Sequence, residues 1–363
     1  MAGPRETEVA GGSLPLFAGS SPLSWQQRLA PYCRAESPRA LRQLFSTSLP
    51  FLVSMVVLLY AMSHGVWFAL ALALPAAIFL VRLFIIQHDC GHGSFFKSRR
   101  INEILGLVLS VLTMMPYSAW RQAHAIHHAN TGNLDQRGTG DVTTLTVREY
   151  QSRSRWRRFL YRIYRHPLML FGIGPAYLLL VRYRVPLGRE LRDRHRWFSI
   201  IGTDLAAAAC AVGLSAIIGA GPFLLAWATV LLLATSLGVW FFYIQHQFAD
   251  TYWADSASWE FRAAAIEGSS YYDLPRFLHW LTGSIGFHHI HHLASKVPNY
   301  RLRACFEANP EFQHAKRLTL WASIKSVRLA LWDEDRRELI SFREARRQAQ
   351  VAFKYVDEYK RDN

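Results

Sequence analysis

The chain has 363 residues, 51% of them apolar and 18% charged, with a formal net charge of +15. That length suits two soluble domains or one membrane bundle with polar insertions. The basic excess invites a nucleic-acid reading, but the arginines crowd between long uncharged tracts and along the C-terminal tail, as expected beside membrane spans and anionic head groups, so nucleic acid is excluded as a partner.

Up to about Pro22 the chain is rich in Gly, Pro and Ser and reads as a disordered leader without the ordered regions of a signal peptide. Residues 23–48 read as a short amphipathic approach to a membrane. From Phe51 to Val81 there is no Asp, Glu, Lys or Arg. The surrounding stretch, about Leu49 to Gln87, predicts a hairpin of two spans of roughly 20 residues each, turning near Ser63, His64 and Gly65. A polar and basic segment, 88–167, follows, interrupted by a moderately apolar stretch from Ile101 to Met115. The apolar piece at about 167–182 has arginines on both sides and is expected to lie on or dip into one leaflet. From Trp197 to Ala249 the only charged residue is Asp204, which predicts a second hairpin, about 198–246, turning at Gly219 to Pro222. Residues 321–360, rich in Ala, Arg, Glu and Leu, predict helix. The expected division is a leader and approach over 1–48, a membrane domain over 49–310 and a cytoplasmic helical tail over 311–363. Both hairpin turns are uncharged and the other connections basic, so four crossings with both termini and all large loops in the cytoplasm are expected. Cys33, Cys90, Cys210 and Cys305 show no pairing or CxxC spacing, and no disulfide framework is implied.

Most of the histidines fall into three boxes. His88 and His92 have the i, i+4 spacing that puts two imidazoles on one helical face. His124, His127 and His128 add i+3 and i+4 neighbours, and His288, His291 and His292 repeat that pattern with His289 as an extra. Crowding of this kind without an ion would leave buried ring nitrogens unpaired or produce repelling cations, so a metal site is expected. His88 follows directly after the first hairpin and His246 directly after the second, at the same predicted membrane face, which makes His246 a ninth candidate ligand. Imidazole suits iron, copper, zinc and nickel alike. Asp89, Asp135, Asp141 and Asp250 are candidate acceptors for the second ring N–H of a ligand, Asp250 the best placed at i+4 from His246; His289 is read as a supporting residue rather than a ligand. His64, at the opposite turn, and His166, His195, His279 and His314 are read as surface or packing residues.

The boxes HDCGH (88–92), HAIHH (124–128) and HHIHH (288–292) match, in order and topology, the HxxxH, HxxHH and HxxHH pattern of the membrane fatty-acid desaturase superfamily, which this chain resembles. HDCGHGSFF, the Trp120-Arg121 pair, GDVTTLTVREY (140–150), YIQHQFADTYW (243–253) and KVPNYRLRACFE (296–307) are similar to bacterial acyl desaturases of the Δ12 or omega-6 kind, over about residues 45–310. HDCGHGSF is similar to omega-3 desaturases as well. The resemblance implies an all-α integral membrane protein: four transmembrane helices in two hairpins with a cytoplasmic helical cap that holds a histidine-ligated dimetal site. It implies two non-haem irons bound by His88, His92, His124, His127, His128, His246, His288, His291 and His292, with O2 as co-substrate and a cis double bond in a fatty-acyl lipid or acyl thioester as product. The organic step is oxidation of an unactivated methylene, beyond side-chain acid–base chemistry, so the metal carries it. His166-Pro167 continues into Leu168 rather than a His-Pro-Gly-Gly haem motif, so a separate ferredoxin-like or cytochrome b5-like donor is expected. The expected location is the bacterial inner membrane. Hydroxylase, acetylenase or conjugase activity on the same site is the nearest alternative; a histidine-rich metal transporter is the rival from another class, disfavoured because the spans carry no coordinating clusters near the midplane.

Overall fold

The computed structural model describes residues 24–138, 140–186 and 191–351. The expected leader lies outside them up to residue 23, as does the tail beyond residue 351. In chain order, a short helix α1 (Trp25–Leu29) is followed by α2 (Ser37–Ser63), a 3-10 turn at Trp67–Leu72 and α3 (Ala73–His92). After these come α4 (Arg99–Thr113), α5 (Tyr117–Asn130), strand β1 (Leu145–Thr146), α6 (Val147–Ser152) and α7 (Arg155–Tyr164). The second half holds α8 (Gly174–Tyr177), α9 (Arg194–Ile218), α10 (Ala220–His246), α11 (Phe261–Glu267), β2 (Tyr271–Tyr272), α12 (Arg276–Leu281), α13 (His288–Leu293) and α14 (Asn299–Ala308). The chain then runs through β3 (Arg317–Leu318), α15 (Leu320–Ser326), β4 (Leu329–Asp333) and β5 (Glu338–Ser341).

Four helical stretches among the described residues are long and apolar enough to cross a membrane by themselves: Ser37–Ser63, Trp67–His92, Arg194–Ile218 and Ala220–His246. They form the two expected hairpins. α2 begins at Ser37, so residues 37–48 of the expected approach are one continuous helix with the span, and α1 precedes them as a separate short helix. Gly219, at φ +94°, makes the second turn in a backbone region that glycine adopts without a steric penalty. α3 is the most enclosed of the four and α9 the least. Ala73, Ala76 and Ala77 are fully buried on α3, and small residues of this kind let neighbouring helices approach closely. On the outer faces, Val53, Val56 and Tyr60 of α2 and Phe198, Leu205 and Val212 of α9 are exposed, which hydrocarbon accommodates and water does not.

α4 and α5 meet at a bend of 100°, where Met114 has φ 54° and Pro116 precedes α5. Arg184 reaches this bend, donating to the Met114 carbonyl and pairing with Asp204, the single charge of the second apolar tract. The piece expected at 167–182 is an apolar helix of π-helical and α turns from Met169 to Arg182, too short to cross a bilayer. The tail departs from the all-helical expectation over 321–360. β4 and β5 form an antiparallel hairpin with Arg337 at φ 54°, and β1 joins β4 in parallel to complete a three-stranded sheet. Helix propensity is overridden there by the pairing with Leu145 and Thr146 and by burial of Leu331, Leu339 and Ile340.

Candidate metal centre

α3 ends in its histidine box because Gly93, in the left-handed region at φ +65°, caps it directly after His92. α5 carries the second box after the bend, α10 ends on His246, and the short α13 consists almost entirely of the third box. These four helices bring nine imidazoles into two groups. His88, His92, His124, His128 and His291 form one, and His127, His246, His288 and His292 the other; within each, the potential ligand atoms all lie within 4.8 Å of one another. The groups adjoin, with the rings of His128 and His292 stacked at 4.1 Å between centroids.

The contacts inside the groups are too many to be hydrogen bonds all at once. His124 Nε2 stands 3.0 Å from Nε2 of both His88 and His128, and His128 Nε2 stands 3.1 Å from His291 Nε2. A ring nitrogen offers one proton or one lone pair, so at most two of these three contacts can be hydrogen bonds in any choice of tautomers. A shared cation satisfies all of them. At a metal–imidazole distance of about 2.1 Å, donors at a right angle stand about 3.0 Å apart and donors at the tetrahedral angle about 3.4 Å. The observed spacing, with 3.1 Å between Nε2 of His288 and of His246 in the other group, is close enough for donors to one ion. His92 Nε2 and His292 Nε2 are buried without hydrogen-bond partners, again as expected of metal ligands. Burial, reinforced by the neighbouring imidazoles, holds His288, His291 and His292 well below the usual histidine range, in the neutral form that ligates.

Two of the histidines are hydrogen-bonded through Nδ1, and a third, His127, has a carboxylate beside Nδ1 without hydrogen-bond geometry. The Asp89 carboxylate lies 3.1 Å from His88 Nδ1, and its other oxygen accepts from Asn299 N at 2.6 Å and Asn299 Nδ2 at 2.9 Å. Gln43 Nε2 in turn donates to Asn299 Oδ1 at 2.7 Å, tying α2 to the support of α3. Asp141 lies 2.9 Å from His127 Nδ1. His246 Nδ1 donates to the Gly268 carbonyl at 2.9 Å. Asp250, expected to support His246, instead pairs with Lys316 at the surface, because α10 ends at His246 and the helical i+4 relation does not extend past it. His289 belongs to neither group: its ring packs against Tyr271 and Phe306, and burial pushes it down to about 4. Asp135 accepts from Ser256 N, away from both groups, and His279 stacks on Phe287. The Gly268 carbonyl and Asn299 carry no spacing signal; only the tertiary fold reveals them.

A cavity of about 730 Å³ borders the groups, with His88, His124, His127 and His288 in its wall. Trp120, stacked on His124 with ring centroids 4.7 Å apart, and Phe242, packed on His127, line the cavity beside these imidazoles. Leu80, Leu231 and Ala234 of the spans continue an apolar lining suited to a hydrocarbon chain.

Residues 65–323 match the sequence family described as fatty acid desaturase. The chain is 42% identical to a fatty acid desaturase of Bacillus subtilis (strain 168), over 87% of this chain and 90% of that protein. It is 28% identical to the sn-1 oleoyl-lipid 12-desaturase of Synechocystis sp. (strain ATCC 27184 / PCC 6803 / Kazusa), over 62% of this chain and 63% of that protein. With the sn-1 acyl-lipid omega-3 desaturase (ferredoxin) of the same organism it shares 29% identity, over the same two fractions.

Proposed function

This chain belongs to the fatty acid desaturase family, and on that premise we propose that it inserts a cis double bond into a membrane acyl chain, in the Δ12 or omega-6 mode, at two irons held by its nine clustered histidines. The observation that carries the reading is the pair of imidazole groups set against an apolar cavity at the ends of the spans. The family is one of membrane oxidoreductases, and the four apolar helices suit it. The five ring nitrogens of one group exceed the four that a tetrahedral zinc site takes, in keeping with iron.

When bound, the irons would supply the dioxygen-dependent oxidation that no side chain can. The balance is one acyl –CH2–CH2– unit, one O2, two electrons and two protons, yielding one –CH=CH– unit and two waters. The protein's part is binding and placement. Leu80, Leu231 and Ala234 hold the chain in an apolar channel and exclude water, while Trp120 and Phe242 set the distance between the methylenes and the histidine groups. Asp89 and the Gly268 carbonyl fix the ring orientations of His88 and His246, leaving Nε2 of each for the ion, while the Asp141 carboxylate stands beside His127. A ferredoxin-like or cytochrome b5-like donor supplies the electrons at the basic surface around the boxes, which faces the cytoplasm from a bacterial inner membrane. One relative's name includes ferredoxin, which supports the first kind of donor.

Expression in a host of known lipid profile tests the reading. A new double bond located by mass spectrometry, lost in His128→Ala while the protein stays in the membrane, is the expected outcome. A hydroxylated or acetylenic product would change the reaction assigned to the site, and an unchanged profile with a stoichiometric metal other than iron would overturn the proposal.

A further inference from the structure

α7 presents three distinct faces. On one, the Tyr161 hydroxyl accepts from Leu145 N at 3.0 Å and donates to the Ala330 carbonyl at 2.6 Å, fastening the helix to the C-terminal sheet. On a second, Trp156, Phe159, Leu160 and Ile163, spaced i, i+3, i+4 and i+7, form a continuous apolar stripe that is exposed along its length. Arg155 and Arg157 flank that stripe, Arg158 stands on the side away from it, and Arg162 donates to the Tyr150 hydroxyl at 2.7 Å; the helix contains no acidic residue.

The level of α7 relative to the spans follows from the residue after it. Arg165 donates to Gln247 Oε1 at 2.8 Å, one residue beyond the end of the span α10. The C-terminal end of α7 therefore lies level with the end of α10. Beyond it, the exposed Leu168, Ile173, Tyr177 and Leu180 prolong the apolar surface along the Met169–Arg182 piece.

We propose that α7 docks on the anionic head-group layer of the membrane, with its aromatic and aliphatic stripe in the upper acyl region and its arginines among the lipid phosphates. A helix with this division of faces lies in the plane of an interface, and basic flanks select an anionic one. The charge pattern and the continuity with the spans name the lipid as the occupant rather than a soluble protein. One consequence rests on the proposed function: Ile173 and Tyr177 both line the cavity and face outward, so docking of α7 sets that wall in the leaflet and opens the cavity sideways to an acyl chain. The docking itself depends on neither iron nor turnover, so the test separates it from the desaturase reading.

The test places single spin labels at Trp156→Cys, Arg158→Cys, Phe159→Cys and Ile163→Cys in full-length protein. The background is Cys33→Ser/Cys210→Ala, since Cys90 and Cys305 are buried. The protein is reconstituted in vesicles of phosphatidylglycerol and phosphatidylcholine in equal parts, or of phosphatidylcholine alone. Labels at 156, 159 and 163 should collide with oxygen in preference to an aqueous nickel chelate, and the label at 158 the reverse. The oxygen-to-nickel ratio at 159 should fall about fivefold in phosphatidylcholine alone and in Arg155→Glu/Arg157→Glu. Nickel-accessible labels at 156, 159 and 163 in anionic vesicles would overturn the proposal. Labels shielded from both reagents, or shielded only after a reduced electron-donor protein is added, would overturn it in favour of a protein partner. An oxygen-rich stripe indifferent to charge would overturn the head-group assignment.

Discussion

Replacing Asp89 by Asn keeps the shape of the side chain and tests how the five-histidine group is built. Asp89 is 1% exposed and serves three polar atoms: one oxygen faces His88 Nδ1 at 3.1 Å, and the other accepts from Asn299 N and Nδ2. An amide has one oxygen for these roles. The backbone N–H of Asn299 is fixed and demands it, so the new NH2 faces His88 Nδ1. That contact is satisfied only if Nδ1 becomes the acceptor, which moves the ring proton to Nε2, the nitrogen that faces His124 at 3.0 Å and is needed for the ion. Holding the ligating tautomer instead sets two donors against each other and forfeits a charge-assisted hydrogen bond of about 1.5–3 kcal/mol. Loss of such an orienting partner lowers metal affinity by about 10–100-fold, or roughly 1.4–2.8 kcal/mol. The expected result of anaerobic iron titration against a competing chelator is weakened binding at one iron of the pair, with turnover falling in parallel. Asp250→Asn is the control: its carboxylate pairs with Lys316 at the surface, and both iron affinities should match the wild type. Equal affinities in Asp89→Asn and wild type would refute the view that the carboxylate sets the His88 tautomer.

Gly140→Ala should weaken the other iron, because Gly140 has φ +79° and its added Cβ would stand 3.0 Å from His127 Cβ; left-handed backbone costs a non-glycine residue roughly 1–2 kcal/mol, and iron per protein after dialysis reads the loss. Ala234→Phe fills part of the cavity between the spans and should shift the product profile toward shorter acyl chains with iron content unchanged, as measured by lipid mass spectrometry. Gly106→Ala drives a methyl into the ring of the buried Tyr117 and should destabilise the α4–α5 bend by about 1–3 kcal/mol, seen as a lower Tm in detergent.

The parts legible in the sequence are those with a period or a break. Uncharged tracts predicted both hairpins, the Gly219 turn appears where the glycines and Pro222 stand, and box spacing picked out eight of the nine histidines that the fold clusters. His246 has no box, yet its place directly after a span was enough to find it. Contacts between distant segments were not legible. Asp250 satisfied an i+4 rule on a helix that stops before reaching it, while the true acceptor for His246 is a carbonyl 22 residues away in sequence. The residues of β4 and β5 favour helix by composition and become strands because β1 and the Ala249 carbonyl, which accepts from Leu339 N, offer them partners.

The division of the boxes between the two groups explains why their spacings differ. On a helix, residues i and i+4 are offset by about 40° and residues i+3 and i+4 by about 100°, so a box with all three presents a pair to one side and a single ring to another. α5 gives His124 and His128 to the five-histidine group and His127 to the four; α13 does the reverse, giving His288 and His292 to the four and His291 to the five. These two helices are walls common to both groups. α3, with only an i, i+4 pair, serves the five-histidine group alone, and α10, with His246, serves the four. A shift of α5 or α13 therefore disturbs both groups together, whereas α3 and α10 can be altered one at a time. The hairpins also have to end at a common level, since each delivers its histidines from the last turn of its second span. Box one needs no third histidine because the second hairpin supplies the complementary ring from the opposite side of the site.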